Sequence, residues 1–420
     1  METTYFRRGF GLKKQIEPLI RAEYHSALVE GIRARGYIQS FGEGEHRLTI
    51  RLAEEFGFCY GVDRAVDYAY ETRTHFPERR ILLVGEIIHN PHVNRRLQEM
   101  GIVFLYPDGD GVFDFGGISS EDVVILPAFG VTLGDFARLR ETGCVLVDTT
   151  CGSVLNVWKR VEQYSRDGFT ALIHGKHHHE ETKATASQAF KHPDGHYLIV
   201  RHMDEVRRVM DYIERRPNAQ SREEFLKSFS AKVSPGFDPD LHLDRIGVAN
   251  QTTMLAGESL AIAAEVGRSL ERRFGGEPGF RLDAHFRSFD TICSATQERQ
   301  DAVAKLLATD PPLDMMLVIG GYNSSNTNHL AVLCAERTLT FHLADADRID
   351  PEAGAVRFKP NGSPFDTPEV EAYDWLSPGP LTVGLTAGAS TPNNKIGETI
   401  ERILQTRGIA LEREEIPAGV

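Results

Sequence analysis

Three of the five cysteines in this chain sit in one local context, and that recurrence limits how the chain can fold. Leu48-Thr49-Ile50-Arg51-Leu52 runs toward Cys59. Val145-Leu146-Val147 runs toward Cys151. Phe289-Asp290-Thr291-Ile292 runs into Cys293. Each time an extended or apolar stretch leads to the cysteine, small or polar residues follow, and a helical pattern begins. Val62, Ala65, Val66 and Ala69 follow Cys59; Val154, Val157, Trp158 and Val161 follow Cys151; Ala302, Val303, Leu306 and Leu307 follow Cys293. Apolar residues three and four apart line one face of an amphipathic helix. Self-similarity of this kind points to related structural modules.

The echo continues downstream. Ile81-Leu82-Leu83-Val84-Gly85 precedes His89-Asn90. Ala171-Leu172-Ile173-His174-Gly175 precedes a His-rich run. Met316-Leu317-Val318-Ile319-Gly320 precedes Asn323-Ser324-Ser325-Asn326. These glycines lie about 25 residues past their cysteines. A further strand and loop closes each unit: Val123–Gly130, Ile246–Thr253 and Val383–Ser390. Strands alternating with helices predict α/β units with mostly parallel sheets, and polar loops at the strands' carboxyl ends are where sites form. The expected fold is α/β, with three related units in a pseudo-three-fold arrangement facing a common centre. In chain order the boundaries are an N-terminal extension over 1–47 and units over 48–147, 148–288 and 289–420. A charged segment near Asp204–Asp244 stretches the second unit, and a loop near Asp350–Asp374 stretches the third. Ile396, Ile400, Ile403 and Leu404 predict a closing helix.

Composition excludes several classes. Hydrophobic residues make up 41% of 420, enough for packed cores. Lys plus Arg is 47 against 60 for Asp plus Glu, a formal net charge of −13, so the cationic excess that nucleic-acid binding needs is missing. No apolar run approaches the ~20 residues that span a bilayer. The start, Met1-Glu2-Thr3-Thr4-Tyr5-Phe6-Arg7-Arg8, has neither the apolar core of a signal peptide nor the Ser-rich, acid-poor character of a transit peptide. A cytoplasmic protein is expected. An odd cysteine number at irregular spacing is not a disulfide framework, and no Cys-x-x-Cys pair is present.

Three converging thiolates with an open fourth position suggest a metal centre. Zinc accepts three cysteines and a water, and iron–sulfur clusters also take thiolates; composition does not choose between them. A helix start beside each cysteine favours the thiolate through unpaired N–H groups and the helix dipole. Cys144, opening an apolar strand, and Cys334, among Leu330, Ala331 and Leu333, read as core. Lys176-His177-His178-His179-Glu180-Glu181-Thr182 is the loop richest in proton carriers. If the segment is extended, His179 and Glu181 share one face and Glu180 points away. Asn323–Asn328 reads as a helix cap and a dense set of donors for a phosphate. Ser390 lies in the matching loop of the same unit, and Thr252-Thr253 and His89 in matching loops of the others.

Together, Phe58-Cys59-Tyr60-Gly61-Val62-Asp63-Arg64-Ala65, His89-Asn90, Asp148-Thr149-Thr150-Cys151, His179-Glu180-Glu181-Thr182, Gln251-Thr252-Thr253, Asn323-Ser324-Ser325-Asn326 and Thr386-Ala387-Gly388-Ala389-Ser390 resemble the 4-hydroxy-3-methylbut-2-enyl diphosphate reductase family. Seven motifs in the right order, from about Leu48 to about Leu404, make the resemblance specific. Arg7-Arg8-Gly9-Phe10-Gly11 and His174-Gly175-Lys176 resemble its plant and cyanobacterial branch. The resemblance implies three α/β units around a central 4Fe–4S cluster held by Cys59, Cys151 and Cys293. It implies an acid at Glu181, a residue orienting the substrate hydroxyl at Thr252, and a diphosphate pocket from His89, His179, Ser324, Asn326 and Ser390, with Ser325 close by. It implies reductive loss of an allylic hydroxyl, giving isopentenyl or dimethylallyl diphosphate, with electrons from a ferredoxin or flavodoxin. Phe129 departs from the better-known bacterial pattern, which has a histidine there. The rival classes are a non-redox hydro-lyase with an open iron and a zinc-stabilised binding protein.

Overall fold

The computed structural model describes residues 4–289, 291–364 and 366–411; Asp290, in the run before Cys293, lies outside the described residues. The chain divides into two compact bodies. The first comprises Met1–Arg8, Glu78–Ile87 and Ile102–Cys293; the second comprises Gly9–Pro77, Ile88–Gly101 and Ser294–Val420.

The first body holds two parallel sheets. One orders its strands Tyr5–Phe6, Val145–Asp148, Val123–Leu126, Ile81–Val84, Ile102–Leu105. The other runs Phe286–Ser288, Ile246–Asn250, Thr170–His174, Tyr197–Val200. The second body holds the third sheet, in the order Leu339–Leu343, Met315–Ile319, Leu381–Ala387, Leu48–Leu52, with Ile38–Phe41 added antiparallel at the edge. Each sheet therefore contains the same four parallel strands in the same order, so the cysteine repeat is a repeat of topology. The inner strands read as near-continuous apolar runs because parallel sheets are covered on both faces. Every residue of Met315–Ile319, Ile81–Val84 and Val123–Leu126 is buried. Each buried Leu, Ile or Val there stabilises the fold by roughly 1.5–3 kcal/mol relative to exposure.

Sheet membership is offset by one strand from chain order. Leu48–Leu52, the strand ahead of Cys59, bonds to Leu381–Ala387 in the third sheet. Val145–Asp148, ahead of Cys151, closes the first sheet, and Phe286–Ser288, ahead of Cys293, closes the second. Each cysteine thus marks where the chain leaves one sheet and enters the helix of the next unit.

The N-terminal extension serves two sheets. Tyr5–Phe6 pairs with Leu146 and Val147, while Ile38–Phe41 lies beside Leu48–Leu52. Its helix Ala27–Ala34 starts at Ser26, whose hydroxyl accepts from Val29 N, and buries Leu28, Val29 and Ile32. The closing helix Asn393–Thr406 packs on it so tightly that a Cβ at Gly397 would lie 2.2 Å from Ser26 Oγ. The charged segment near Asp204–Asp244 forms helices Met203–Ile213, Arg222–Ser228 and Pro239–His242. Most of their charges face solvent, Glu205 being buried, while Val206, Val209, Met210, Phe225 and Phe229 enter the core of the second sheet. The expected loop near Asp350–Asp374 is a small antiparallel sheet of Ile349–Asp350, Ala355–Phe358 and Val370–Tyr373. Ala355 and Val356 are adjacent and both buried, so this strand is covered on both faces at its start, while Arg357 is exposed.

Candidate functional site

The three repeat cysteines are placed by equivalent hydrogen bonds. Cys59 N–H donates to Ala389 O at 3.2 Å, Cys151 N–H to Ala128 O at 2.9 Å and Cys293 N–H to Thr252 O at 3.4 Å. Each acceptor lies two residues past the end of its sheet's third strand, at Ala387, Leu126 and Asn250. Cys59 and Cys151 occupy the N-cap positions of helices Tyr60–His75 and Gly152–Arg166 in extended conformation, and neither thiol caps its helix. Helix Ser294–Leu307 begins directly after Cys293. All three are half-buried, whereas Cys144 and Cys334 are buried. Burial raises the Cys144 thiol pKa and pushes Cys334 up to about 12, which keeps them protonated and poor ligands. Accessible thiols at helix N-termini suit a thiolate-held group, so the residues fit the cluster that the resemblance implies.

The Cys59 loop has a support that sequence reading missed. Arg299, buried on helix Ser294–Leu307, donates to Gly57 O at 2.7 Å and Phe58 O at 3.2 Å. Its signal was an arginine between Thr296 and Val303 on the buried helix face. Asp63, one turn into the helix after Cys59, has its carboxyl pushed up to about 6, first by burial and then by Asp67.

In the first body, His179 and Glu181 are not in an extended segment. His179 is the N-cap of helix Glu180–Ser187, and its Nδ1 accepts from Glu181 N at 3.2 Å. Glu180 takes the first helical position and is exposed; Glu181 takes the second and is 1% exposed. Helical rotation, not strand alternation, separates them. Glu181 Oε1 accepts from Thr252 N at 2.6 Å, and the Thr252 carbonyl is the acceptor for Cys293 N–H. A buried acid, the threonine and one cysteine are thereby joined through a single residue. Gln251 fixes the same junction: its Oε1 accepts from Lys176 N and Thr182 Oγ1, both at 3.1 Å. Gly175 is required here, since a Cβ would come within 2.8 Å of Thr182 Oγ1. Phe129 presents an edge-on ring to His179, with centroids 5.6 Å apart, so it walls the imidazole. Ahead of Cys151, Asp148 Oδ1 accepts from Thr150 N at 2.9 Å and Oγ1 at 2.5 Å, and its other oxygen accepts from Tyr5 OH at 2.6 Å.

In the second body, His89, Ser324, Ser325, Asn326 and Ser390 are all buried. Ser390 Oγ donates to His89 O at 3.2 Å and lies 3.5 Å from Ser324 Oγ. Asn323 Nδ2 reaches His89 Nδ1 at 3.3 Å. Ser324 is the N-cap of helix Ser325–Ala335, and Asn326 Oδ1 accepts from Ala389 N at 2.9 Å. The Asn326 amide nitrogen, 2% exposed, has no hydrogen-bond partner. A buried donor left over at a helix N-terminus is the arrangement an anion satisfies.

Among the described residues no helix is long and apolar enough to cross a membrane. The LytB protein family matches residues 50–404. The chain is 47% identical over 407 residues to the 4-hydroxy-3-methylbut-2-enyl diphosphate reductase of Thermosynechococcus vestitus, covering 97% of this chain and 96% of that protein. It is 47% identical over 409 residues to the Gloeobacter violaceus protein of the same name, covering 96% and 93%. Among solved structures it resembles a 4-hydroxy-3-methylbut-2-enyl diphosphate reductase described as the terminal enzyme of the non-mevalonate pathway, with a TM-score of 0.50 and 26% identity over 85% of this chain and 99% of that one. A reductase from Plasmodium falciparum shares the fold, with a TM-score of 0.59 and 19% identity over 84% and 87%. The chain belongs to the LytB protein family.

Proposed function

We propose that the chain is a 4-hydroxy-3-methylbut-2-enyl diphosphate reductase, the iron–sulfur enzyme that ends the non-mevalonate route to isoprenoids. The observation that carries this reading is the junction of Glu181, Thr252 and Cys293: a buried carboxyl group held beside the loop that sets a half-buried thiol. The reaction takes up two electrons and two protons, breaks the allylic C–O bond, and releases water with isopentenyl or dimethylallyl diphosphate. Cys59, Cys151 and Cys293 hold a 4Fe–4S cluster. The bound cluster supplies electrons and a Lewis-acidic iron.

The chain's own residues supply the rest. Loss of hydroxide from carbon is slow at neutral pH, so a proton must reach the leaving oxygen, and Glu181 supplies it. Thr252 N–H orients the Glu181 carboxyl group, and the Thr252 hydroxyl is the hydrogen-bonding partner for the substrate hydroxyl. His89, Ser324, Asn326 and Ser390 bind the diphosphate, with Ser325 in the same helix turn and His179 as a further donor. The unpartnered Asn326 amide and the N-terminus of helix Ser325–Ala335 supply neutral donors. The electrons come from a separate carrier, a ferredoxin or flavodoxin.

Anaerobic preparation tests the reading. The protein is expected to show the visible absorption of an iron–sulfur cluster and to convert the allylic diphosphate to the two products only when a reductant is added. Zinc in place of iron, or product formation without reductant, would overturn it.

A further inference from the structure

We propose that the small antiparallel sheet inserted in the third unit braces the diphosphate loop, with Tyr322, Glu369 and Arg348 as positioning residues. The proposal rests on the reading that His89, Ser324, Asn326 and Ser390 take the diphosphate.

The loop from Gly320 to Ser324 is held at its ends by Gly320 N–H on Leu343 O and Ser324 N–H on Gly321 O, and its middle needs a further anchor. Gly320 has a φ of +141°, and a Cβ on Gly321 would lie 2.8 Å from His89 O. Two glycines let the chain pass close to His89, but they are the residues with most backbone freedom to lose. Tyr322 provides what they lack. Its ring meets His342 edge-on, centroids 5.0 Å apart, and its hydroxyl donates to Glu369 Oε1 at 2.7 Å. Arg348 Nε donates to the same oxygen at 2.6 Å. Glu369 immediately precedes strand Val370–Tyr373, and Arg348 immediately precedes strand Ile349–Asp350. Glu369 therefore comes from the insertion, and Arg348 from the short 3-10 helix Ala346–Arg348 that leads into it.

The position of Tyr322 is passed on to the binding residues. Asn328 Nδ2 donates to Tyr322 O at 2.7 Å and to Ser324 O at 2.8 Å, tying the loop to the first turn of helix Ser325–Ala335. Asn323, next in the chain, reaches His89 Nδ1. Beneath the loop, His342 Nε2 lies 3.0 Å from Gly320 O. Arg348 offsets Glu369, and the Lys359 ammonium lies 5.5 Å from the Tyr322 ring centroid. Burial, then Glu369, raises the Tyr322 phenol pKa, so it remains a donor. The insertion acts by fixing where Asn323, Ser324 and Asn326 stand.

The test uses Tyr322→Phe, Glu369→Ala and Glu369→Gln in the cluster-loaded protein, with inorganic pyrophosphate as the calorimetric probe and the allylic diphosphate in turnover. Loss of one anchoring hydrogen bond is expected to weaken pyrophosphate binding and raise KM by about tenfold, with kcat within about threefold of wild type. Iron content and melting temperature should stay near wild type. Glu369→Gln keeps an acceptor for Tyr322 and should recover some of the affinity. Unchanged pyrophosphate affinity in Tyr322→Phe and Glu369→Ala, or an affinity loss that tracks melting temperature and spares KM, overturns the brace. Asn326→Ala is the control for the pocket itself: if it binds pyrophosphate as tightly as wild type, the pocket assignment falls and the brace with it.

Discussion

Glu180 and Glu181 are neighbours in sequence and opposites in surroundings, and the difference decides which one can act as an acid. Glu180 is exposed, while Glu181 is buried with Thr252 N–H on its carboxylate. The sequence singles out Glu181 over Glu180 by strand alternation, whereas the difference in burial comes from the first turn of a helix. An alternating strand and the first turn of a helix both send adjacent side chains in different directions, and only the His179 cap shows which applies. Thr252 was legible as a loop residue; its hold on both Glu181 and Cys293 was not, because those contacts join loops of different strands. Glu181→Gln is expected to keep its iron and bind substrate, yet turn over at least ~10²-fold more slowly, the usual span of general acid catalysis. Glu180→Gln should be far milder. The measurement is kcat under saturating low-potential reductant, and a near-normal value for Glu181→Gln removes that residue from the proton path. For the thiols, Cys59→Ser, Cys151→Ser and Cys293→Ser should each lose most bound iron, while Cys144→Ala and Cys334→Ala keep it. Iron assayed per chain decides this; an essential Cys144 beside a dispensable Cys151 contradicts the assignment.

At the scale of elements, the strands and helices of the repeat were readable because each carries its own period. Strand pairing was not, because it is settled by closure across many residues. That is why Leu48–Leu52, first in its unit by order, lies in the third sheet. The Asp204–Asp244 helices were hidden by surface charge, and the Asp350–Asp374 strands by their short length. Asp148 shows what such closure does. It ends a strand, accepts from Tyr5 of the extension, and caps the Thr150 turn that leads into Cys151. Asp148→Ala leaves the buried Thr150 N–H without that acceptor, a cost of about 1–3 kcal/mol. A lower melting temperature and faster iron loss to a chelator are expected; neither changing would show that the turn holds without Asp148. Strand Leu339–Leu343 carries a pH-sensitive group. Burial holds the His342 pKa at about 4, against 6.5 for an unperturbed histidine. The unfolded chain therefore binds the proton first. Stability contributed here is full above pH 6.5 and falls as pH drops from 6.5 toward 4, by on the order of 3 kcal/mol. Denaturant titrations across that window should show the decline, and His342→Gln should flatten it.

On the scale of the whole molecule, the chain carries a formal charge of −13 and must still receive electrons. The Gly-x-Gly-x-x-Gly fingerprint does not follow a strand in this sequence, and the proposed source of the electrons is a separate carrier. A small acidic carrier would be repelled by the net charge at long range and attracted only by a local cluster of bases. In the first body Lys183 and Arg201 are both exposed near His177, which is held below its ordinary pKa by burial first and then by Lys232, Arg201 and Lys183. The two effects respond oppositely to salt. Beyond a screening length of about 8–10 Å salt removes the repulsion and would speed turnover; at a docked patch it weakens attraction and slows it. Because the orientation of a docked complex is set by close charges, carrier-supported turnover is expected to fall as salt rises. Lys183→Glu with Arg201→Glu should raise the KM for the carrier and leave turnover with a small inorganic reductant unchanged. Purified protein given NADPH alone should be inactive. Turnover that rises with salt, or a double variant that uses the carrier as well as wild type, would place docking elsewhere on the surface.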